Sequence, residues 1–406
     1  MAMMKSSNTE WLGDIPAEWD VAQIGNYYEL RNEKVSDYDF EPLSVTMKGI
    51  VTQLATAAKS DDHSNRKLVK KGDFVINSRS DRRGSCGISP LDGSVSLINI
   101  VMEPRGEMNP QYYNWLFHTE QFADEFYKWG HGIVDDLWTT RWQEMKKILI
   151  VAPLPDEQQA IADYLDETCS KIDEIIAEAK ASIDEYKELK QSVIFEAVTK
   201  GLDKNVEMKD SGVEWIGLCP KHWVVSRIKN ECSNLDNLRE PVSADNRENK
   251  LGLYDYYGAS GVIDKIDYYN VDDVVLLIGE DGANLRMRNL PLVYRASGKF
   301  WVNNHAHILK INERNDYEYM AYMLEAGDYS DYITGSAQPK LSQFNLMRFP
   351  IVHPPLNEQI VISQYLVDRI PQIDSLISEK ESLINDLEAY KKSLIYEVVT
   401  GKRRVV

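Results

Sequence analysis

Apolar residues recur at steps of three or four along a stretch in the middle of the chain. Pro155 suits the first turn of a helix, Gly201 suits its end, and no proline or glycine lies between them. The pattern predicts one helix of roughly 45 residues with the narrow apolar seam of a coiled coil. Such a helix needs a partner, because a narrow seam alone does not stabilise it. The seam residues are Ile172, Ile176, Ala179, Ile183, Tyr186, Leu189 and Val193.

A second stretch repeats this pattern 201 residues later. Glu157-Gln158 returns as Glu358-Gln359. Pro371 falls within the second stretch, so we expect its helix to kink or to begin again there. Two surface helices of similar composition are the alternative, but the positional matches favour two rods that pack against each other. The second seam consists of Ile373, Leu376, Leu383, Leu387, Tyr390 and Leu394.

Another repeat precedes each globular segment. The sequence EWLGDIPAEWDVAQI at residues 10–24 returns as EWIGLCPKHWVVSRI at residues 214–228, an offset of 204. Two tryptophans eight residues apart enclose a glycine and a proline, which indicates a compact turn held by aromatic burial. We interpret this turn as a structural anchor and assign it no chemistry.

The segments between the turns and the rods carry strand and helix patterns in the same order. The first has strand-like runs at residues 73–78 and 95–102 and a helical stretch at 110–129. The second has strand-like runs at 273–278 and 301–311 and a helical stretch at 316–333. We predict two copies of one α+β domain. Because their side chains hardly agree, we infer that each copy recognises a different target; drift after duplication is the alternative.

Composition and charge narrow the class of protein. The chain of 406 residues is 43% apolar and 27% charged, which is typical of soluble globular proteins. No apolar run is long enough for a membrane span, and the four scattered cysteines favour a reducing cytoplasm. The net charge is −18, and residues 156–200 contribute 12 acids and 5 bases, a net −7. Basic residues cluster elsewhere, at 66–71, 79–83, 286–288 and 402–404, so DNA binding at a defined place stays open.

No catalytic set stands out in the sequence. It has no phosphate-binding loop, no dinucleotide fingerprint, no zinc-protease motif and no N-P-P-[YF] motif of amino-methyltransferases. His305 and His307 alternate on a predicted strand, which permits a metal site. No third ligand is visible, so packed or hydrogen-bonded histidines are the favoured interpretation.

Polar, aromatic and basic residues near the turns suit contacts to DNA grooves and phosphates. The stretch YDYYGASG at 254–261 offers backbone N–H groups to a phosphate or forms a structural hairpin. The stretch GSAQPKLS at 335–342 corresponds to DDLWTTRW in the first domain, with Thr139 and Arg141 opposite Lys340 and Ser342. A solvated basic loop is the alternative for residues 77–84. The candidate DNA-binding residues are Arg79, Arg82, Arg83, Thr139, Arg141, Tyr257, Gly258, Arg286, Arg288, Gln338, Lys340 and Ser342.

These motifs together resemble the specificity subunit of a type I restriction–modification system. The resemblance rests on the tandem EW-[LI]-G-x-x-P-x-x-W turns, YYGASG, GEDGAN, KFWVNNHAHIL, TGSAQPKLS and the paired P-L-x-x-EQ rod starts, and the second half carries it more closely than the first. It implies an α+β fold in which two target recognition domains are separated by two long antiparallel coiled-coil helices, an internal pseudo-twofold repeat. The expected boundaries are 1–154 and 204–355 for the domains, and 155–203 and 356–406 for the helices.

The resemblance also implies a function and partners. The chain is expected to bind double-stranded DNA at an asymmetric bipartite target and to have no enzyme activity or cofactor of its own. Two modification subunits that bind S-adenosylmethionine would methylate the DNA, and restriction subunits would use ATP and Mg. Two other interpretations stay open: a coiled-coil adaptor with two protein-binding domains, and a methyltransferase in its own right, which the missing motifs disfavour.

Overall fold

The computed structural model describes residues 3–56, 63–132, 138–243, 245, 247, 252–335 and 338–405. The chain divides into two compact units. The first unit consists of Met1–Lys180 and Ser382–Val406, and the second of Ala181–Glu381. Both units mix helices and strands, so the predicted α+β class is confirmed.

The helices of the described residues range from single turns to very long rods. They are α1 (Ile24–Tyr27), α2 (Pro110–Phe117), α3 (Glu120–Lys128), α4 (Trp142–Met145), α5 (Pro155–Lys200), α6 (Ile228–Glu231), α7 (Gly282–Met287), α8 (Tyr317–Ala326), α9 (Gln343–Arg348) and α10 (Leu356–Val399). Short 3₁₀ turns occupy Ser80–Arg82, Asp236–Leu238 and Ser330–Tyr332. None of these described helices has both the length and the apolar run that a membrane crossing requires.

The first unit contains a four-stranded sheet in the order β10-β9-β12-β4, beside the three strands β11-β8-β5 and the hairpin β6-β7. Strands β1 and β2 pair within the Trp turn, and β3 pairs with β13. The bounds are β1 (Met4–Ser6), β2 (Asp14–Pro16), β3 (Asp20–Gln23), β4 (Tyr28–Leu30), β5 (Lys34–Val35), β6 (Leu43–Thr46), β7 (Gly49–Thr52), β8 (Arg66–Val69), β9 (Phe74–Asn77), β10 (Cys86–Ile88), β11 (Gly93–Val95), β12 (Asn99–Pro104) and β13 (Leu149–Ala152).

The second unit contains a six-stranded sheet in the order β17-β22-β20-β21-β18-β19. Its run β17-β22-β20-β21 follows the same order as β4-β12-β9-β10, and β16 pairs with β25 as β3 pairs with β13. The bounds are β14 (Met208–Asp210), β15 (Leu218–Pro220), β16 (Val224–Arg227), β17 (Cys232–Asn234), β18 (Tyr254–Gly258), β19 (Gly261–Ile266), β20 (Val271–Gly279), β21 (Val293–Val302), β22 (Ala306–Ile311), β23 (Ile333–Thr334), β24 (Lys340–Leu341) and β25 (Pro350–His353).

The long helices bury a seam with alternating steps of four and three. On α5 it includes Ile172, Ile176 and Ile183, with Tyr186 half-buried, and on α10 it includes Ile373 and Leu394, with Leu387 half-buried. The assignment is wrong for four residues that are 40% to 45% exposed: Leu189, Leu376, Leu383 and Tyr390. The seam passes one position later, through Lys190, Ile377, Ile384 and Lys391.

The helix α10 neither ends nor begins again at Pro371. Pro371 lies on the exposed side of the helix, where its ring faces solvent. The expectation that the helix restarts there is therefore wrong.

Ion pairs connect the two long helices within each unit. In the first unit the Lys391 ammonium lies 2.6 Å from Asp173, and Lys180 lies 3.9 Å from Glu388. The partner number falls as the residue number rises, so the two segments run antiparallel. In the second unit Lys190 lies 2.6 Å from Asp374, the same pair displaced by 201 positions.

The Trp turns are tied to the starts of the long helices. The Trp19 indole N–H donates to Glu157 at 2.8 Å, and the Trp223 indole N–H donates to Glu358 at 2.9 Å. Both indoles are buried. The repeated Glu-Gln pair is thus part of the anchor that holds each domain on its helix.

Candidate nucleic-acid interface

Several motif stretches of the second domain meet where β20 ends and β22 begins. The Gly282 N–H donates to the Pro339 carbonyl at 2.7 Å, and the Leu341 N–H donates to the Glu280 carbonyl at 2.9 Å. The Glu280 N–H donates to the His305 carbonyl at 2.8 Å. Residues from GEDGAN and GSAQPKLS therefore lie together, beside NNHAHIL. With the tip of the hairpin β18-β19 they form the surface that we call the second interface: residues 258–261, 279–288 and 338–342. Ser336 and Ala337 of the last motif lie outside the described residues.

The tip of the hairpin β18-β19 belongs to the second interface. A side chain at Gly279 would have its Cβ 2.6 Å from the Ala259 carbonyl oxygen, so glycine permits the hairpin tip to approach this closely. The stretch YDYYGASG thus forms a structural hairpin whose tip lies at the candidate surface.

The first domain builds an equivalent surface, the first interface: residues 46–49, 77–84 and 138–141. Arg79 and Thr139 form an isolated antiparallel bridge, as Asp281 and Lys340 do in the second domain. The Ser80 N–H donates to the Trp138 carbonyl at 3.1 Å. Arg141 and Ser342 occupy the N-cap positions of α4 and α9, so the correspondence drawn from sequence holds in the backbone. Residues 135–137 of DDLWTTRW lie outside the described residues.

The hairpin β6-β7 of the first domain corresponds to β18-β19. Gly49 and Gly261 end the two tips with φ of +105° and +90°, a backbone conformation that favours glycine. An added Cβ on Gly87 would lie 2.9 Å from Gly49 Cα, and one on Gly261 would lie 2.7 Å from the Tyr294 ring. Gly87 and Tyr294 occupy matching positions on β10 and β21, because they pair with Val75 of β9 and Leu277 of β20.

Ion pairs hold the polar groups of the second interface. Glu280 lies 3.3 Å from the Lys340 ammonium and 3.0 Å from the Arg239 guanidinium. Beneath them Asp236 lies 2.6 Å from His307. Burial raises the pKa of Asp236, but the hydrogen bond and charge of His307, with the Ile308 N–H and Arg239, bring that pKa below its usual value.

The histidine pair has a structural role in the fold. His307 is buried, with Nδ1 at 2.6 Å from Asp236 and Nε2 at 2.7 Å from the Leu341 carbonyl oxygen. Nδ1 of His305 lies 3.5 Å from Asp281. Among the described residues no cluster of three or more histidine, cysteine, aspartate or glutamate side chains forms a metal site. The favoured interpretation of hydrogen-bonded histidines agrees with these contacts.

Several candidate DNA-binding side chains point into solvent at the two interfaces. They are Arg82, Arg83, Arg141, Arg286 and Gln338, while Arg79, Thr139 and Lys340 are half-buried. Arg83 forms an ion pair with Asp124, and Arg82 lies 3.6 Å from Asp81.

Other candidates are used by the fold itself. The Arg288 guanidinium donates to the carbonyls of Glu325 and Gly327 at 3.0 and 2.6 Å. The Ser342 hydroxyl accepts from the Asn345 N–H at 3.2 Å and caps α9. The Tyr257 ring packs edge-on against Phe300, and Gly258 is buried.

Two features of the interfaces escaped the sequence analysis. Glu280, which holds both Arg239 and Lys340, was visible only as part of the GEDGAN motif. The tip of β6-β7, Met47-Lys48, shares with the second tip little more than its closing glycine, so no motif marked it. Arg66, which belongs to the basic cluster at 66–71, is only 6% exposed, and its guanidinium donates to Ser94.

Comparisons with known proteins extend along nearly the whole chain. Residues 220–388 match the family described as "Type I restriction modification DNA specificity domain". The MjaVIII type I restriction enzyme specificity subunit of Methanocaldococcus jannaschii is 24% identical over 96% of this chain and 94% of that protein. The putative specificity subunit S.HindORF215P of Haemophilus influenzae is 30% identical over 160 residues, 39% of this chain and 38% of that relative.

Solved structures share the fold. A chain from a study of complex assembly and conformational transition of the type I R-M system superposes with a TM-score of 0.74 at 14% identity, covering 96% of this chain and 99% of that one. The HsdS subunit of Thermoanaerobacter tengcongensis gives a TM-score of 0.55 at 16% identity, covering 96% and 98% of the two chains.

Proposed function

We propose, from the premise that this chain belongs to the specificity subunits of type I restriction–modification systems, that its two domains each read one half of an asymmetric bipartite DNA target. The first interface would contact one half-site and the second interface the other. The chain would supply recognition, and partner subunits would carry out the chemistry.

The observation that carries this proposal is a shared backbone with different side chains. The backbone bridge that joins Arg79 to Thr139 in the first domain joins Asp281 to Lys340 in the second. Protein side chains read the base edges of DNA. The protein backbone sets where those side chains lie. Two copies of one scaffold with different side chains are therefore suited to two different half-sites.

The long helices offer a surface for the partner subunits. Apolar side chains remain exposed at heptad spacing beside the seam in each unit, and exposed apolar patches mark interaction sites. They are Ile175, Leu383 and Tyr390 in the first unit and Leu189 and Leu376 in the second. We expect two modification subunits to use this surface and to bind S-adenosylmethionine, and any restriction subunits to bind ATP and Mg.

Modified-base sequencing tests the proposal. Genomic DNA from cells that express this chain together with its modification subunit is compared with DNA from cells that express the modification subunit alone. We expect a new methylated motif with two different half-sites around an unread gap. If the subunits assemble and no new motif appears, the proposal fails and a protein-binding adaptor gains support.

A further inference from the structure

The tip of the hairpin β6-β7 belongs to the first interface by position. Met47 and Lys48 occupy the places that Ala259 and Ser260 hold in the second domain, because Gly49 and Gly261 close the two tips in the same conformation. A Cβ on Gly84 would lie 4.0 Å from the end of the Met47 side chain. The tip is therefore adjacent to the loop that carries Arg82 and Arg83.

The tip is held firmly although both of its side chains are exposed. The Thr46 hydroxyl donates to the Gly49 carbonyl at 2.8 Å and accepts from the Lys48 N–H at 3.1 Å. Strands β6 and β7 pair from Leu43–Thr52 to Thr46–Gly49, and the hairpin packs on β10. Hydrogen bonds thus fix the backbone while the side chains face solvent.

Met47 is 72% exposed, a large apolar side chain in the turn between β6 and β7, next to a loop that carries arginines. Exposure of this kind has no benefit for folding, since an apolar side chain stabilises the protein only when it is buried. Thymine methyl groups in the major groove offer an apolar contact, and methionine adapts to irregular surfaces. Lys48, beside it, has the charge and reach for a phosphate.

We propose that the Met47-Lys48 tip is a specificity-determining element of the first domain, in which Met47 contacts base edges and Lys48 contacts a phosphate. This inference rests on the proposed function, because it assigns further residues to the same DNA interface. The second domain presents Ala259 and Ser260 at its tip, so the two tips are suited to different bases.

Duplex binding by the full chain assembled with its modification subunit tests this inference. The probes are a duplex that carries the mapped bipartite motif and a duplex of equal length with the motif scrambled. We expect Met47→Ala to weaken binding to the motif duplex about tenfold, the usual cost of one lost base contact, with little change on the scrambled duplex. We expect Lys48→Ala to weaken binding to both and to make the salt dependence shallower by about 0.9 in slope.

Met3→Ala is the matched control, because Met3 is 79% exposed but lies on the Trp turn. The double change Met47→Ala/Lys48→Ser, which gives the first tip the sequence of the second, is expected to alter only one half-site in modified-base sequencing. That half-site should differ from the one altered by Lys340→Ala.

The outcomes separate this inference from the proposed function. If the wild-type complex does not prefer the motif duplex, the proposed function fails. If the wild type is specific and both tip variants bind both duplexes as Met3→Ala does, only the role of the tip is overturned.

Discussion

The Lys340 ammonium is half-buried and lies 3.3 Å from Glu280, so its position is set before DNA arrives. We expect Lys340→Ala to weaken binding to the motif duplex by about 1–3 kcal/mol and to relax one position of one half-site. Lys310→Ala is the control, because Lys310 forms a comparable ion pair with Asp273 on the far part of the sheet. An equal loss on every duplex, with a shallower salt slope, would identify a phosphate contact instead.

Arg286 and Arg288 are two residues apart and differ in their surroundings. Arg286 is exposed, whereas Arg288 has φ of +52° and donates to two backbone carbonyls. We expect Arg288→Ala to lower the free energy of unfolding by about 1–3 kcal/mol, because it removes hydrogen bonds from a charged group. Arg286→Ala should change stability by less than about 0.5 kcal/mol and should weaken DNA binding.

Urea unfolding and duplex binding of both variants check this pair. The opposite result, a stable Arg288→Ala protein that binds DNA poorly, would show that Arg288 contacts DNA. The sequence assigned both arginines to DNA because it does not show that Arg288 adopts the left-handed conformation and turns its side chain to backbone carbonyls.

The Asp236 carboxylate makes the free energy of unfolding decrease at acid pH. Its pKa is lower in the folded chain than in the unfolded chain, so the carboxylate stabilises the fold above the unfolded pKa of about 4. That stabilisation is lost as the pH falls through the folded pKa. We expect Asp236→Asn to lower the free energy of unfolding by about 1.5–3 kcal/mol at neutral pH, with a smaller difference below pH of about 4.

Urea unfolding at a series of pH values measures this difference. Asp272→Asn serves as the control, because Asp272 is exposed on β20 of the same sheet. A difference between Asp236→Asn and the wild type that stays constant down to acid pH would exclude a titrating Asp236.

At the scale of elements, the long helices were the most predictable part of the chain. Their bounds follow from proline, glycine and the apolar period, and α5 begins and ends where the pattern indicates. The seam was misplaced at Leu189 and Tyr390 because these residues are apolar whereas Lys190 and Lys391, next to them, are charged. At 376–377 and 383–384 both neighbours are apolar, so the pattern alone does not choose between them. Packing buries the lysine stems in the seam, and Asp374 and Asp173 neutralise their ammonium groups.

A pair of neighbouring variants tests the corrected seam. Ile384 is 8% exposed and Leu383 is 40% exposed. We expect Ile384→Ala to lower the free energy of unfolding by about 2–4 kcal/mol, because it removes buried methylenes and leaves a cavity. Leu383→Ala should lower it by less than about 1 kcal/mol. If denaturant unfolding gives the reverse order, the seam derived from the pattern is correct and the corrected one is not.

The sequence predicts the order of the strands and helices in each globular domain, but it does not show which hairpin of one domain is equivalent to which hairpin of the other. The strand runs and the helix of each domain recur in sequence, so two α+β copies follow from the pattern alone. The equivalence of β6-β7 with β18-β19 did not, because the hairpins agree mainly in Gly49 and Gly261. Backbone conformation is shared there, whereas side chains diverge, and only the structure places Met47 beside the arginine loop.

At the scale of the whole molecule, each unit repeats one set of contacts. In the first unit the Tyr112 hydroxyl donates to the Val399 carbonyl at 2.7 Å, and in the second the Tyr319 hydroxyl donates to the Val198 carbonyl at 3.1 Å. Each domain therefore binds the start of one long helix and the end of the other. This pattern does not depend on which connection between helix and domain is covalent.

A circular permutation follows from that pattern. In the second unit six residues connect Gly201 to Met208, where β14 begins. In the first unit Gly401 packs against Trp19. Joining the two ends of the chain would connect Gly401 to Met4, where β1 begins, through eight residues, a connection of similar length. We expect a permutant that joins these ends and opens between residues 203 and 204 to fold and to direct its modification subunit to the same motif, because the new opening lies in an exposed connection.

Thermal unfolding and modified-base sequencing of the permutant check this expectation. A second permutant opened between Val275 and Leu276 is the control, and it should not fold, because those residues lie in the buried strand β20. If both permutants fail to fold, the covalent connection at 201–208 is needed to order the second domain. If the first permutant folds and directs methylation, packing of the helix ends on the Trp turns is enough to hold the domains in place. Packing of the helix end on the Trp turn requires glycine at position 401, since its φ is +72° and an alanine Cβ there would overlap Pro16. Gly401→Ala should therefore lower the melting temperature of the permutant and of the parent chain alike.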